Sequence, residues 1–343
     1  MASVVLDTLD ECYREIGAVD RLAGLYDIRL RLAETDVERI RLLNEAARIW
    51  EIELGNAGRA LSNVRRVFEI DPGRRESLDE LERLADAAGT FDGLRGMVEG
   101  LVESGAIEGQ QKIELSLRAA EWYRDRLRDP AAEERCVRWA LEVDRSKMDL
   151  HERLIALLRV PGREQALLAA LREAAEAERD VDRRKALLRE AAEFSAGALN
   201  DMDTAGLCYE ALLGSDPDDP SALSELAMIR TVQSRHAEVV ALLERRLAVE
   251  SDPETLTALR LRIAEIQDQD LNEAAQAVAA YRRVLSGAPL HAQAVQALER
   301  LYERGAKWQE LGALLESQVS GVPDVGERAE LRFEITQVGD LAH

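Results

Sequence analysis

The side chains that could catalyse a reaction or hold a metal ion are few in this chain and lie far apart in sequence. Its four histidines are His151, His236, His291 and His343. A zinc-protease helix needs a second histidine four residues after the first, and His151-Glu152 is followed by none. Neither a Gly-x-Ser-x-Gly nucleophile motif nor a phosphate-binding Gly-x-x-x-x-Gly-Lys-Ser/Thr loop occurs. We therefore expect no catalytic residue, no metal site and no cofactor.

The three cysteines, Cys12, Cys136 and Cys208, are too sparse and too odd in number to form a disulfide framework. A reducing compartment is the default for such a chain, so we expect a cytoplasmic protein. No secretory signal is visible at the N-terminus, and no window is long and apolar enough to span a membrane. Cys136 and Cys208 are 72 residues apart, and we expect both to be buried structural thiols.

Composition narrows the class of protein further. The 343 residues are 46% hydrophobic and 32% charged, with a net charge of −21. Ala, Leu, Glu and Arg dominate while aromatic residues are only 4%, which favours an all-α fold over a β-sandwich or barrel. A nucleic-acid partner or an anionic membrane surface requires clustered positive charge, so both are disfavoured. Lysine accounts for only four of the 45 basic residues, a coding bias typical of a bacterial source.

An internal repeat is the main feature of the sequence. Four segments align with almost no gaps at spacings of 73, 72 and 72 residues. The aligned positions include the set Leu81, Leu154, Leu226 and Leu298. A second set is Ala46, Ala119, Ala191 and Ile263. Self-similarity at a fixed period is the signature of a repeat architecture, in which each unit buries its apolar face against its neighbours.

Each repeat divides into two helical hairpins. In the first full repeat, apolar residues at helical spacing predict helices over Glu38–Leu54, Ala57–Ile70, Glu76–Ala88 and Phe91–Ser104. All eight prolines fall between the predicted helices or in their first turns, where proline is tolerated. The position of Gly96 is occupied by alanine in the other repeats, and this constant small residue predicts a close approach between two helices.

The second helix of the first hairpin resembles the second helix of a tetratricopeptide repeat. The segment Gly55–Pro72 has the opening Gly, the small Ala60, the packing positions Val64 and Val67 and the closing Asp-Pro. Segments 271–285 and 306–311 show the same likeness. The family's Trp-Leu-Gly-Tyr signature is replaced by looser combinations, so the resemblance is to a divergent relative. It implies an all-α, right-handed solenoid of about nine helical hairpins, followed by a C-terminal helix.

We expect the whole chain, 1–343, to form a single solenoid. Its full repeats are 35–107, 108–180, 181–252 and 253–324. Residues 1–34 match the second half of a repeat, and residues 325–343 match only the start of another or form a capping helix. The chain thus begins and ends out of phase with its repeat, which predicts either an excerpt of a longer protein or a cap.

The resemblance also implies where a partner would bind, because the first helix of each hairpin lines the concave face in this family. Glu121, Glu193 and Glu265 occupy one equivalent position outside the apolar face, and Arg48 occupies it in the first repeat. We take as candidate partner-binding residues Arg48, Asp79, Leu117, Glu121, Glu152, Arg189, Glu193, Leu261 and Glu265. An acidic groove for a basic partner segment is one interpretation, and a solvated charged face is the other.

These observations predict a non-enzymatic scaffold that binds a protein or peptide on its concave face, and the acidic-groove interpretation predicts that this partner is basic. A self-assembly module that stacks through its ends is one alternative. A regulatory arm of a larger multidomain bacterial protein is another. The chaperone-binding version of the family uses a clamp of Lys and Asn on the first helices, and no such combination occurs here.

Overall fold

The structure, a computed structural model, describes residues 2–319 and, beyond them, residues 326, 328, 332, 333, 335, 336 and 338. Eighteen α-helices and three five-residue π-helical turns make up the regular structure of residues 2–319, which contain no strand. The first nine helices are α1 (Ala2–Glu15), α2 (Val19–Leu32), α3 (Asp36–Arg48), α4 (Ala57–Ile70), α5 (Arg75–Ala88), α6 (Asp92–Glu103), α7 (Gly109–Trp122), α8 (Pro130–Val143) and α9 (Met148–Leu158). The other nine are α10 (Glu164–Ala177), α11 (Val181–Ala198), α12 (Met202–Ser215), α13 (Pro220–Val232), α14 (His236–Val249), α15 (Pro253–Glu265), α16 (Ala274–Gly287), α17 (Ala292–Arg304) and α18 (Trp308–Val319). The π-turns are Ile49–Glu53, Tyr123–Leu127 and Ile266–Asp270.

Two compact bodies divide the chain. The N-terminal body is Met1–Arg163, with α1 to α9, and the C-terminal body is Glu164–His343, with α10 to α18. Within each body the helices pack on their neighbours in sequence, such as α3 on α4 and α7 on α8, or α11 on α12 and α13 on α14. The all-α fold of successive helical hairpins is therefore confirmed. The prediction of one domain over 1–343 stays a prediction, and the predicted segment 325–343 lies mostly outside the described residues.

The backbone repeats with the same period as the sequence. In the first hairpin of each repeat, the residue that directly follows the second helix has a φ near −136°. These residues are Asp71, Asp144, Asp216 and Ala288. A left-handed residue lies in the turn after the first helix of each alternate hairpin, at Gly17, Gly89, Gly162, Ser234 and Ala306. Another left-handed residue precedes the second helix of the first hairpins, at Gly55, Arg128, Asn200 and Asn272. The left-handed conformation stops a helix, so the turns recur every 72 or 73 residues.

One hydrogen bond closes every turn of this second kind. The N–H of the residue just before the second helix donates to a carbonyl six residues earlier. The donor and acceptor pairs are Asn56 and Trp50, Asp129 and Tyr123, Asp201 and Ser195, and Glu273 and Gln267. The side chains of Asn56, Asp129 and Asp201 also accept a hydrogen bond from the N–H three residues later, which caps the helix.

The first helices differ from the prediction at their C-terminal ends. The predicted helix Glu38–Leu54 is observed as α3, which ends at Arg48, followed by the π-turn Ile49–Glu53. Equivalent π-turns follow α7 and α15. The third repeat is the exception, because α11 stays α-helical to Ala198. Its last turns consist of the small residues Ser195 to Ala198.

The core is built from the repeated apolar positions. Leu81, Leu154, Leu226 and Leu298 are all between 0% and 3% exposed. His151 is also buried, and its Nε2 lies 2.9 Å from the carbonyl oxygen of Arg145. The close helix approach predicted at Gly96 is wrong, because a Cβ built on this residue would meet no atom within 4 Å. A small residue there faces open space, and helix packing does not select it.

A buried charge interrupts the apolar core in the second repeat. Glu133 of α8 is 4% exposed, although the equivalent residues Ala60, Ala205 and Ala277 are fully buried alanines. Its carboxylate accepts two hydrogen bonds from Arg153 of α9, at 2.8 and 2.6 Å. Leaving such a buried charge without its partner costs about 3–5 kcal/mol, so Glu133 and Arg153 depend on each other.

Substitution of Leu226 by Ala tests this core. Leu226 is 3% exposed, and its truncation should lower the free energy of unfolding by about 2–5 kcal/mol, as for buried leucines in general. Repeat arrays need not unfold in one step, so the loss should appear as an early transition confined to residues 200–260. Hydrogen exchange during denaturation locates it. Met228→Ala, on the same helix but 59% exposed, is the control. An unchanged denaturation curve for Leu226→Ala would contradict the assignment of the core positions.

Candidate protein-interaction surface

The first helices of successive hairpins lie side by side in the N-terminal body, and ion pairs join α5 to α7 along their length. Arg75 contacts Glu114 at 2.8 Å, near the start of both helices. Asp79 contacts Arg118 at 3.2 Å, one turn further on. From the first ion pair to the second, the position advances by four residues on α5 and by four residues on α7. The two helices therefore run parallel. Asp79, a predicted site residue, therefore has a counter-ion on the neighbouring first helix.

The same row continues toward the C-terminal ends of these helices. Glu82 accepts a hydrogen bond from the indole N–H of Trp122 at 2.6 Å and also binds Arg118. Asp86 contacts Arg126 at 2.8 Å, in the π-turn that follows α7. Most of these groups are partly exposed, and each such pair contributes about 0–1 kcal/mol. Their arrangement in a row fixes the position of α7 along α5 more than it stabilises either helix.

In the C-terminal body, α11 is joined to the start of α13 in the same manner. Lys185 contacts Asp216 at 2.9 Å, and Arg189 contacts Asp219 at 2.8 Å. Asp219 caps α13, so the predicted site residue Arg189 links one first helix to the N-terminus of the next. Its guanidinium is engaged within the body and serves packing between hairpins.

The remaining predicted residues fall into three groups. Arg48 lies exposed at the end of α3. Leu117 and Leu261 are half-buried on α7 and α15. The third group is the carboxylates, of which Glu265 contacts Arg262 on its own helix at 3.5 Å. Glu121, Glu152 and Glu193 are exposed, and no ion pair involves them within the described part of the chain.

One of these carboxylates has an acidic neighbour that the sequence did not identify. Glu193 of α11 and Glu225 of α13 both lie close to the buried phenol of Tyr209 on α12. Burial, followed by the negative charges of Glu225 and Glu193, raises the pKa of Tyr209 to about 12. Glu225 is half-buried and, in the described residues, forms no ion pair. Two carboxylates without counter-ions thus lie on adjacent first helices.

Two exposed apolar residues of α13, Met228 and Val232, were also missed by the sequence analysis. A comparison of the repeats position by position would have found them. Met228 occupies the position of Arg83 in the first repeat and of Arg300 in the fourth. The apolar periodicity used to define the helices does not report on this position, because it lies outside the buried face.

A cleft of about 330 Å³ lies between α12, α13 and α14, with Arg230 in its wall. The Arg230 side chain is only 5% exposed, and it occupies the position of Leu158 and Tyr302 in other repeats. Its guanidinium donates to Gln233 at 2.6 Å and to Glu210. Arg230 is thus held by Gln233 at the end of its own helix and by Glu210 of α12, and it acts as a packing residue between the two hairpins.

The cysteines differ in their exposure to solvent. Cys136 and Cys208 are buried and Cys12 is exposed, and all three are free. Burial raises the pKa of Cys136 to about 12 and also raises the pKa of Cys208. Within the residues described, no group of three or more His, Cys, Asp or Glu side chains is placed to hold a metal ion. Nor does any helix there combine the length and the apolar composition that crossing a bilayer requires.

Comparison with known proteins gives matches among solved structures. No protein-family model and no curated protein matches the chain. A tetratricopeptide repeat protein from Parabacteroides merdae is 12% identical, with a TM-score of 0.28, over 77% of this chain and 98% of that one. Yeast Tom70 is 12% identical, with a TM-score of 0.30, over 98% and 88%. MamA is 11% identical, with a TM-score of 0.30, over 53% and 95%. The chain is therefore similar to solved proteins that include a tetratricopeptide repeat protein, the class its sequence resembles.

Thiol labelling tests the buried cysteines. A thiolate is the reactive form, and a pKa raised by burial keeps Cys136 and Cys208 protonated at pH 8, so both should resist iodoacetamide in the folded protein. Mass spectrometry should find one modified cysteine, Cys12, in native protein and three after denaturation. Cys12→Ser should then give no native modification. Rapid labelling of Cys136 at pH 8 without unfolding would contradict its buried position.

Proposed function

We propose that this protein is a non-enzymatic scaffold that binds a basic segment of a partner protein on a face formed by the first helices of hairpins within a body. The observation that carries the proposal is the set of exposed carboxylates without ion pairs on these helices, represented by Glu121 and Glu152 in the N-terminal body and by Glu193 in the C-terminal body. In the tetratricopeptide-repeat family, which the sequence resembles, the first helices line the concave side, and this supports the choice of face.

Charge supports a basic partner over an acidic one. The chain carries a net charge of −21, so an acidic segment would be repelled at long range. Much of the charge on the first helices is neutralised by neighbours, as in the contacts of Asp79 with Arg118 and of Arg83 with Glu51. The carboxylates that remain without counter-ions are available to Arg or Lys side chains of a partner.

We expect these carboxylates to change the rate of association with a partner more than the free energy of binding. An exposed ion pair contributes about 0–1 kcal/mol and is screened by salt. Several carboxylates that face one partner raise the rate of encounter and select against the wrong charge. Tight binding therefore requires apolar contacts in addition, and half-buried Leu117 and Leu261 are candidates for them.

Neutralising the three glutamates that occupy one equivalent position on the first helices tests the proposal. Glu121→Gln, Glu193→Gln and Glu265→Gln together should slow association with a basic helical peptide by about threefold to tenfold at low salt, and should flatten the salt dependence. Stopped-flow fluorescence on a panel of labelled basic and acidic peptides measures both. The fold should persist because none of the three residues is buried.

A matched control removes the same charge from the second helices. Glu176, Glu244 and Glu316 are exposed on α10, α14 and α18, and their replacement by Gln should change association less than the triple variant of the first helices. Equal effects of the two triple variants, or equal affinity of the wild type for basic and acidic peptides, would contradict the proposed face.

Self-assembly is a second candidate, favoured by exposed apolar residues on the N-terminal hairpin, which consists of α1 and α2. On α1 and α2, Val5 is 59% exposed, Ile28 46% and Leu32 54%. A module that stacks on another copy through this hairpin should have a molar mass above 38.2 kDa by light scattering, and Ile28→Ser with Leu32→Ser should return it to the monomer. A monomer at all concentrations would eliminate this candidate.

A further inference from the structure

An exposed face of α13 differs from its counterparts in the first and fourth repeats. Met228 and Val232 lie one helical turn apart on this face, and they are 59% and 67% exposed. Single exposed apolar residues are common on protein surfaces. The position of Met228 is an arginine in the first and fourth repeats and Ala156 in the second, and the position of Val232 is an arginine in the fourth repeat alone.

In the fourth repeat the equivalent positions carry an ion cluster. Arg300 and Arg304 of α17 replace Met228 and Val232, and both contact Asp268, Arg304 at 4.0 Å and Arg300 more closely. Asp268 is buried by this arrangement. The third repeat carries Ala196 at the position of Asp268, so all three members of the cluster are replaced at once.

The first repeat also carries an ion pair at these positions, as the fourth repeat does. Arg83 of α5 donates two hydrogen bonds to Glu51, at 2.6 and 2.7 Å, and these residues occupy the positions of Met228 and Ala196. Two of the four repeats thus join their first helices with an ion pair at this point. The third repeat places an apolar surface there.

The neighbouring helix does not cover this surface. The last turn of α11 contains Ala196, Gly197 and Ala198, where the first repeat has Glu51, Ile52 and Glu53. A Cβ built on Gly197 would meet no atom within 4 Å. Such small side chains cannot shield Met228, and they leave room beside α13 for side chains of another molecule.

Negative charge borders the apolar residues on both helices. Glu225 lies one turn before Met228 on α13, and Glu193 lies one turn before Ala196 on α11. Neither carboxylate has a counter-ion in the described structure, and both lie close to the phenol of Tyr209. We call Ala196, Met228 and Val232 the α13 patch, and Glu193 and Glu225 its acidic border.

We propose that the α13 patch binds an apolar side chain of a partner segment whose flanking Arg or Lys residues contact the acidic border. This inference rests on the proposed scaffold function and names the place where apolar recognition occurs. A second copy of this chain is a poorer occupant, because each copy carries a net charge of −21 and the border is itself acidic. An acidic partner is excluded from the border for the same reason.

The test transplants the ion pair of the first repeat into the third. In the variant A196E/M228R, the new glutamate and arginine can pair as Glu51 and Arg83 do, and the net charge is unchanged. The probes are two synthetic helical peptides with identical arginines. One has two leucines a turn apart between the arginines, and the other has serines at those positions. Isothermal titration calorimetry measures both affinities.

The wild type should bind the leucine peptide at least about tenfold more tightly than the serine peptide, because burial of apolar surface supplies the difference. The A196E/M228R variant should bind both peptides with the low affinity of the wild type for the serine peptide. M228S/V232S, which introduces no new pair, should give the same loss. Circular dichroism and thermal unfolding establish that each variant is folded.

The alternative outcomes separate the two proposals. If the wild type binds both arginine peptides equally and prefers them to acidic peptides, the α13 patch is overturned and the basic-partner scaffold stands. If arginine peptides bind no better than acidic ones, both proposals fail. A wild-type dimer in analytical ultracentrifugation that becomes monomeric in A196E/M228R would assign the patch to self-association and also overturn the inference.

Discussion

The hydrogen bond that closes the turn between the first and second helices is the constraint on which the repeat depends. In each repeat it runs from the residue just before the second helix to a carbonyl six residues earlier, as from Asn56 to Trp50. A left-handed residue lies between them, and in three of the four repeats the side chain of the donor residue also caps the second helix. Because this turn has the same geometry each time, the apolar faces of the two helices meet at equivalent residues. The second helix can then bury Val67 or Val284 at the same depth.

Charge serves two purposes on the first helices. In the row from Arg75 to Arg126 it connects neighbouring hairpins, so most acidic residues there are occupied. In the third repeat small residues of α11 and apolar residues of α13 stand where the first and fourth repeats have such a connection, while Glu193 and Glu225 form no ion pair in the described structure. Packing between the hairpins at this point is maintained at the other end of the helices by Arg189 and Asp219. The surface is thereby released from a structural role.

The sequence predicted the features of the fold that single positions indicate, such as buried core residues and helix ends. Leu226 and its equivalents recur at a fixed spacing, and a buried leucine needs no knowledge of its neighbours to be recognised. The bounds of α4, Ala57–Ile70, were predicted to the residue because a cap and an Asp-Pro pair mark its ends. The π-turn after α3 was not predicted, since its sequence continues the apolar pattern of an α-helix. Gly96 was misread because small residues occur both at close helix contacts and on open surfaces. The partners of Asp79 and Arg189 could not be predicted, because they lie on other helices and depend on how far one helix is displaced along the next.

The buried pair of Glu133 and Arg153 has a consequence for how the array could have arisen and how it can be altered. Repeats that share a fold are often treated as modules that recombination can exchange. Here the position of Arg153 is occupied by Glu80 in the first repeat and by Glu225 in the third. A crossover that joined α8 to either of those helices would place Glu133 opposite another carboxylate in a dry environment. Such chimeras should lose about the 3–5 kcal/mol that a buried charge without its partner costs, so α8 and α9 are expected to be exchanged together unless Glu133 is also replaced.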